Sequence, residues 1–374
     1  MRPVLCVVGA RPNFIKMAPI LRAMEAHQPR MPAVLVHTGQ HYDHAMSDRL
    51  FLALGLPQPD TNLEVGSASH AQQTAEVMRR FEPLLGRYRP RAVLVVGDVN
   101  STLACALVAR QCGVPVVHVE SGLRSYDRQM PEELNRVLTD QIADRLYTTE
   151  RSADANLAHE GIAPERVQFV GNVMIDSVVH GLVSACDARA TLRQWGANPA
   201  LLQAPQGYAL LTLHRPSNVD HAETLRTLLE AMRAVADKLP LLFVVHPRTH
   251  AALQRHGMDS LLHHPNIALL PPQDYLEMLG LLAHARLVLT DSGGLQEETT
   301  ALGVPCLTLR SNTERPVTVE QGTNTLVGCD REAILREVQT TLEGRGKCGH
   351  IPEGWDGQAA QRIVADLYQW LKHR

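Results

Sequence analysis

Carboxylates, a histidine and glycine-flanked amides recur where short apolar runs of this chain end. At those places they could move a proton and hold a phosphate. Asp98 follows residues 93–96 in Gly97-Asp98-Val99-Asn100-Ser101-Thr102. Ser101 suffices to cap the next helix, so Asp98 reads as a functional acid. Glu120 closes the run 116–119, either as a second acid or as the ion-pair partner of Arg124. Glu132 and Glu133 follow Pro131 at the start of a helix, where acids are also ordinary partners of the helix dipole. Carboxylates brought close shift one another's pKa, which equips one as base and another as acid. His214-Arg215 follows the run 209–213, where a histidine can donate to a leaving group and an arginine can neutralise it. Thr290-Asp291-Ser292-Gly293-Gly294 joins the run 287–289 to a helix expected over 295–302, ended by Gly303. Such a turn aims bare N–H groups at an anion from the positive end of a helix dipole. Glu298 lies one turn further on, where a carboxylate suits sugar hydroxyls. Arg11 and Lys16 follow the first run and could hold an anion; His246-Pro247-Arg248 and Gln273 also occupy run ends.

These positions make sense if the runs are strands of parallel sheets. The runs at 4–8, 34–37, 93–96, 116–119 and 146–148 alternate with amphipathic stretches near 15–27, 71–85, 102–112 and 132–143. That rhythm belongs to a sheet covered on both faces. Residues 178–206 break the pattern, with one short helix near 191–195. A second series follows, with strands at 209–213, 242–245, 267–270, 287–289 and 306–309. The fold expected is α/β: two Rossmann-like doubly wound domains facing across a cleft, residues 1–177 and 178–356. A last helix over 357–373 is expected to pack back on the first domain.

At 374 residues the chain is long enough for two cores, and 45% hydrophobic with 20% charged residues is a globular balance. A net charge of −3 gives no electrostatic case for nucleic acid. No apolar run reaches the roughly 20 residues that span a bilayer. The N-terminus enters a strand with no signal-peptide cleavage pattern. Seven cysteines without a C-x-x-C pair, among them Cys6, Cys105 and Cys306 in apolar settings, read as buried thiols of a reducing compartment, hence the cytoplasm. Lysine occurs only at 16, 238, 347 and 372, so Lys16 stands out among arginines. His41 and His44, and His246 and His250, are spaced for a metal but lack an acidic third ligand in register, and no metal is expected. No G-x-G-x-x-G follows the first strand, so no dinucleotide cofactor is expected. G-x-S-x-G and P-loop motifs are absent as well.

Taken in order, the run-end blocks resemble the non-hydrolysing UDP-N-acetylglucosamine 2-epimerases nearly end to end. They are G-A-R-P-N-F-I-K at 9–16, T-G-Q-H-Y-D at 38–43, G-D-V-N-S-T at 97–102 and H-V-E-S-G-L-R at 118–124. M-P-E-E-L-N-R at 130–136, H-R-P-S-N-V-D at 214–220, T-D-S-G-G-L-Q-E-E at 290–298 and T-E-R-P at 313–316 complete the set. The resemblance implies a GT-B-like architecture, a UDP-sugar substrate bound mainly through UDP on the second domain, no cofactor, and a homodimer. It implies inversion at C2 of UDP-GlcNAc to UDP-ManNAc by elimination and re-addition of UDP, supplying precursors of bacterial surface polysaccharide. Asp98, Glu120 and Glu132 match the family's acid/base carboxylates and His214 its catalytic histidine. Arg11, Lys16, Gln273, Ser292, Gly293, Gly294, Glu298 and Arg315 match nucleotide-sugar contacts. Asn13 and Ser217 stand where some members carry glutamate, which leaves the sugar open. The alternatives are epimerisation of a 3-acetamido or uronic-acid UDP-sugar, a GT-B glycosyltransferase, a hydrolysing epimerase, and a binding regulator without chemistry.

Overall fold

A computed structural model of the chain describes residues 2–39 and 50–374. The expected block at 38–43 therefore lies largely outside the described residues, as do His41 and His44. Contacts divide the chain into two compact units, one running through His180 and including Glu353–Arg374, the other Gly181–Pro352.

In the first unit, strands β1 (Val4–Val8), β2 (Ala33–His37), β3 (Thr61–Asn62), β4 (Ala92–Val96), β5 (Val116–Ser121), β6 (Arg145–Thr148) and β7 (Val167–Phe169) form one parallel sheet. Their order is β3-β2-β1-β4-β5-β6-β7. Every residue of β1, β4 and β5 is buried, which is why β1 and β4 are apolar throughout rather than alternating, while β5 also buries His118, Glu120 and Ser121. Chain order reverses between β1 and β4, and at such a switch point the loops after the strands diverge and open a crevice. Arg11 and Asp98 follow those two strands.

The second unit repeats the plan. Strands β8 (Ala209–Leu213), β9 (Leu241–Val245), β10 (Ile267–Leu270), β11 (Leu287–Thr290), β12 (Cys306–Thr308) and β13 (Asn324–Leu326) are ordered β10-β9-β8-β11-β12-β13, all parallel. Successive residues of β8 feed opposite cores. Leu211 and Leu213 pack with Leu228, Met232 and Phe243, while Leu210 packs with Leu242, Leu281 and Val288. The reversal here lies between β8 and β11, the strands that lead into His214 and Ser292.

Several local expectations are corrected. The first helix is Arg11–Ala26, four residues earlier than its apolar pattern suggests, because Pro12 fits the first turn, where no N–H is needed. A helix spans Val173–Leu182, so the expected break at 178 falls inside it. Ser101 does not cap the helix Asn100–Gln111; it lies in its first turn, with its hydroxyl 2.7 Å from Thr38 Oγ1. Of the cysteines, Cys6, Cys105 and Cys306 are buried, whereas Cys112 and Cys348 are exposed. No helix among the described residues is long and apolar enough to cross a membrane.

The C-terminal helix Ala359–Lys372 belongs to the first unit and buries Ala359, Ala360, Ile363, Val364, Leu367 and Leu371. Its Asp366 accepts from Arg145 Nη2 at 2.5 Å and from the Tyr147 hydroxyl at 2.8 Å. Its first amides, from Ala359 and Ala360, donate to the Asp176 carboxylate at 3.1 and 2.7 Å. Burial pushes the Asp176 carboxyl up to about 6 despite those two donors. A carboxyl harder to ionise folded than unfolded favours the folded state at low pH, and that advantage is lost as pH rises to about 6. The unfolding free energy should therefore fall by about 2–3 kcal/mol more across roughly pH 4 to 6 in the native chain than in Asp176→Asn, with no further difference in slope above that window. Denaturant titrations at three pH values compare the two slopes, and equal slopes would refute the assignment.

Candidate active site

In the N-terminal unit the tips of β4 and β5 bring two of the expected acids together. Lys16, on the inner face of the helix Arg11–Ala26, places Nζ 2.5 Å from Glu120 Oε2, with the two side chains only 6% and 2% exposed. Arg124, the expected alternative partner of Glu120, instead pairs with Asp140 and Glu160. Glu120 has φ +68, one of four left-handed non-glycine residues among the described ones, and the β5–β6 register shifts between Val119 and Ser121. Backbone of this kind costs energy and is characteristic of functional positions. Gly97, on the neighbouring tip, has φ +66, a conformation open to glycine. A β-carbon there would lie 3.4 Å from Lys16 Nζ and 3.8 Å from Glu120 Oε1. Asp98 follows directly, and its Oδ2 takes Arg136 Nη2 at 2.5 Å.

Asn13, one of the two departures from the family pattern, is buried. Its side chain accepts from the amides of Gly9 and Ala10 and donates to the carbonyl of Val96 at 2.9 Å, tying the start of the first helix to the end of β4. Arg11 opens that helix, half-buried. Of the Glu132-Glu133 pair, Glu133 is structural. Its carboxylate accepts the amides of Ser125 and Tyr126 and the Arg136 guanidinium at 2.8 Å, clamping the loop that precedes it. Glu132 stays half-buried, and among the described residues no lysine or arginine is ion-paired with it.

The C-terminal unit gathers its cations around the ends of β8 and β11. His214 Nδ1 lies 2.8 Å from Asp291 Oδ1, and Asp291 is fully buried. The same carboxylate accepts the amides of His214 and Arg215 and the Asn218 side chain at 3.2 Å. Burial alone would raise Asp291, but the His214 bond and these amides hold it below the usual carboxylate range. With Nδ1 engaged, Nε2 is the ring nitrogen left for a ligand. Ser292 precedes the helix Gly293–Leu302, which begins two residues before its apolar pattern does. Gly293 has a reason beyond exposing its amide, since a β-carbon there would fall 2.5 Å from Glu314 Oε1. Glu314 is held by Arg310 Nη2 at 2.8 Å and Arg215 Nη2 at 3.3 Å. Burial would raise its carboxyl, but Arg310, Arg315 and Arg215 hold it well below the usual range. Arg315 Nε lies 3.0 Å from Glu297, which is completely buried. Gln273 and Glu298 are buried, Gln273 donating to the Pro271 carbonyl at 2.7 Å. His246 caps the helix Pro247–His256, and Arg248 pairs with Asp220 at 2.5 Å, so both have structural work.

Chemically, the first unit offers proton acceptors anchored by cations, and the second offers donors suited to a diphosphate. Among the described residues no group of three or more histidine, cysteine, aspartate and glutamate side chains is arranged for a metal ion. Sequence reasoning gave no role to Arg310 and Glu314 in the second unit or Arg136 in the first, and no partner to Asp291 or Glu133. Asp291 carried a usable signal: a charged residue at the end of a fully apolar strand must find partners.

The family model described as UDP-N-acetylglucosamine 2-epimerase matches residues 22–368. A UDP-N-acetylglucosamine 2-epimerase of Methanocaldococcus jannaschii is 40% identical over 364 residues, 96% of this chain and 97% of that one. A UDP-2,3-diacetamido-2,3-dideoxy-D-glucuronate 2-epimerase of Pseudomonas aeruginosa is 38% identical over 371 residues, 97% of this chain and 99% of that one. The solved structure of the M. jannaschii UDP-GlcNAc 2-epimerase in complex with UDP-GlcNAc and UDP superposes with a TM-score of 0.84 at 38% identity, covering 98% of this chain and 99% of that one. Two parallel α/β sheets with these strand ends, and relatives matched along almost their whole length, place the chain in the UDP-N-acetylglucosamine 2-epimerase family, isomerases of GT-B-like fold.

Proposed function

We propose that the chain inverts C2 of a UDP-N-acetylhexosamine, converting UDP-GlcNAc to UDP-ManNAc by elimination and re-addition of UDP. The observation that carries this reading is the placement of Asp98 and Glu120 on neighbouring strand tips, each carboxylate anchored by a buried cation. An acetamido group stabilises a carbanion poorly, so simple removal of the C2 proton is too slow. Loss of UDP from C1 solves the problem. The C2–H electron pair becomes the C1–C2 π bond, the C1–O pair leaves with the diphosphate, and the proton passes to a carboxylate. Return of the diphosphate oxygen to C1, with protonation at the opposite face of C2, gives the manno sugar. Two faces need separate proton carriers, which suits a set of Asp98, Glu120 and Glu132.

The departing charge is met by amides at the start of the helix Gly293–Leu302, by His214 Nε2 and by arginine. Arg215 Nε and Arg310 Nη1 are buried N–H groups with no acceptor among the described residues, and a phosphate oxygen would satisfy them. Lys16, Arg11, Gln273, Glu298 and Arg315 complete the proposed contacts to the nucleotide sugar.

A second reading, epimerisation of a diacetamido uronic-acid UDP-sugar, is favoured by the Pseudomonas aeruginosa relative of that name. Incubation of the purified chain with each sugar in D₂O, followed by NMR, separates the two. Deuterium at C2 and a manno-configured product should appear with one of them and without any acceptor. A transferred sugar that requires an acceptor, or free UDP in place of a manno nucleotide sugar, would replace this reading. With the productive sugar, Asp98→Asn, Glu120→Gln and Glu132→Gln are each expected to lower kcat by about 10²–10⁴-fold, and His214→Ala by at least about 10²-fold. Undiminished turnover in all four would remove the assigned roles.

A further inference from the structure

Beneath the acids of the N-terminal unit lies a buried pair that the proposed chemistry does not use. His118, in the middle of β5, and Asp140, on the helix Pro131–Ile142, are both completely buried. His118 Nδ1 lies 2.7 Å from Asp140 Oδ1, and His118 Nε2 lies 2.8 Å from the carbonyl oxygen of Gly97. The second oxygen of Asp140 accepts the Gly122 amide at 3.0 Å and the Arg124 guanidinium at 2.8 Å. Gly97 immediately precedes Asp98, and Gly122 follows Glu120 by two residues. One imidazole–carboxylate unit therefore links the backbone beside one acid to the backbone beside the other.

Those tips need such a link. Gly97, Glu120 and Gly122 all have positive φ, at +66, +68 and +80, and the register with β6 shifts at the same place. The ladder with β6 is interrupted at Glu120 and resumes at Ser121, and the polar pair ties the tips together across that bulge. The helix that carries Asp140 also carries Glu132 in its first turn. Between them, Asn135 donates to the Asp98 carbonyl at 2.9 Å and Arg136 holds the Asp98 carboxylate. All three acids are thus referred to one helix through short polar bonds.

We propose that His118 and Asp140 are positioning residues for proton transfer at C2, fixing Asp98 and Glu120 relative to each other and to Glu132. The inference rests on the epimerase reading above. A displacement of about 1 Å in a proton-transferring group can cost on the order of 10²-fold in rate, while substrate affinity, set by other contacts, is barely touched. A pair that served folding alone would lower thermal stability and leave the chemistry of the folded molecules unchanged.

The side chains of asparagine and glutamine divide the imidazole between them. His118→Asn keeps a donor near the Nδ1 position and loses the Gly97 bond. His118→Gln keeps a donor near Nε2 and loses the Asp140 bond. Asp140→Glu retains the charge on a longer arm and serves where either histidine variant fails to fold. Each folded variant, verified by circular dichroism, is assayed with the sugar that the native chain turns over, protonated or deuterated at C2. Expected are a kcat about 10- to 100-fold lower, a KM within about three-fold, and a larger deuterium isotope effect as proton transfer becomes limiting. Unchanged kcat and isotope effect beside a lowered melting temperature would overturn the positioning role while leaving the epimerase reading intact. Absence of C2 exchange in the native chain with every UDP-sugar would instead overturn that reading, and this inference with it.

Discussion

Glu120 and Lys16, 2.5 Å apart and almost sealed from water, set the terms on which the N-terminal unit is built. Removing a carboxylate and an ammonium from water costs several kcal/mol each, and their attraction does little more than offset it. A pair of apolar side chains would serve stability as well. What the ion pair provides is a carboxylate held at one point with a positive charge beside it. The surrounding structure accepts further cost for the same end. Glu120 adopts a left-handed backbone worth about 1–3 kcal/mol of strain. Gly97, beside the pair, has φ +66, a backbone that residues with a side chain rarely adopt. Asn13 uses its whole amide to fix the helix that presents Lys16.

Both units place their chemistry where a parallel sheet makes room for it. In the first sheet the order reverses between β1 and β4, in the second between β8 and β11. Loops leaving those strands turn to opposite faces, so the backbone amides and side chains at their ends are not covered by a crossing helix. The polar residues at these ends are consequently held by short local bonds rather than by core packing. Asp291 collects the amides of two successive residues together with the His214 ring, and Asp98 is gripped at both its carboxylate and its carbonyl.

The strands were legible because a fully buried parallel strand must be apolar along its length, and β1, β4 and β9 are. The two-glycine turn at 293–294 was legible from its glycines between an apolar strand and a helix, and at Gly293 a β-carbon would meet Glu314. Partner choice was not. Glu120 and Arg124 are four residues apart, yet Glu120 takes Lys16 from more than a hundred residues away and Arg124 takes Asp140 and Glu160. Glu132 and Glu133 are alike in sequence, and only the loop geometry at Ser125 and Tyr126 distinguishes the clamp from its neighbour. His118 interrupts the apolar strand 116–119 and so announced a buried polar group, but its partner on another element could not be read from spacing. Ser101 misled for a related reason: its hydroxyl is satisfied by Thr38, and the helix begins at Asn100 without it.

The C-terminal unit holds its cations in a complementary way. Arg215 and Arg310 already share Glu314, Arg315 lies on Glu297, and His214 lies on Asp291. A diphosphate arriving there, on the proposed reading, does not meet bare charge. It gains the difference between its own attraction and what the carboxylates have already taken, plus the amides at the start of the helix Gly293–Leu302. That difference suits a reaction in which the diphosphate must leave C1 and then attack it again. Bare arginines would bind the released diphosphate so firmly that its return became the slow step, whereas amides and unsatisfied guanidinium N–H groups stabilise it by direction rather than by net charge.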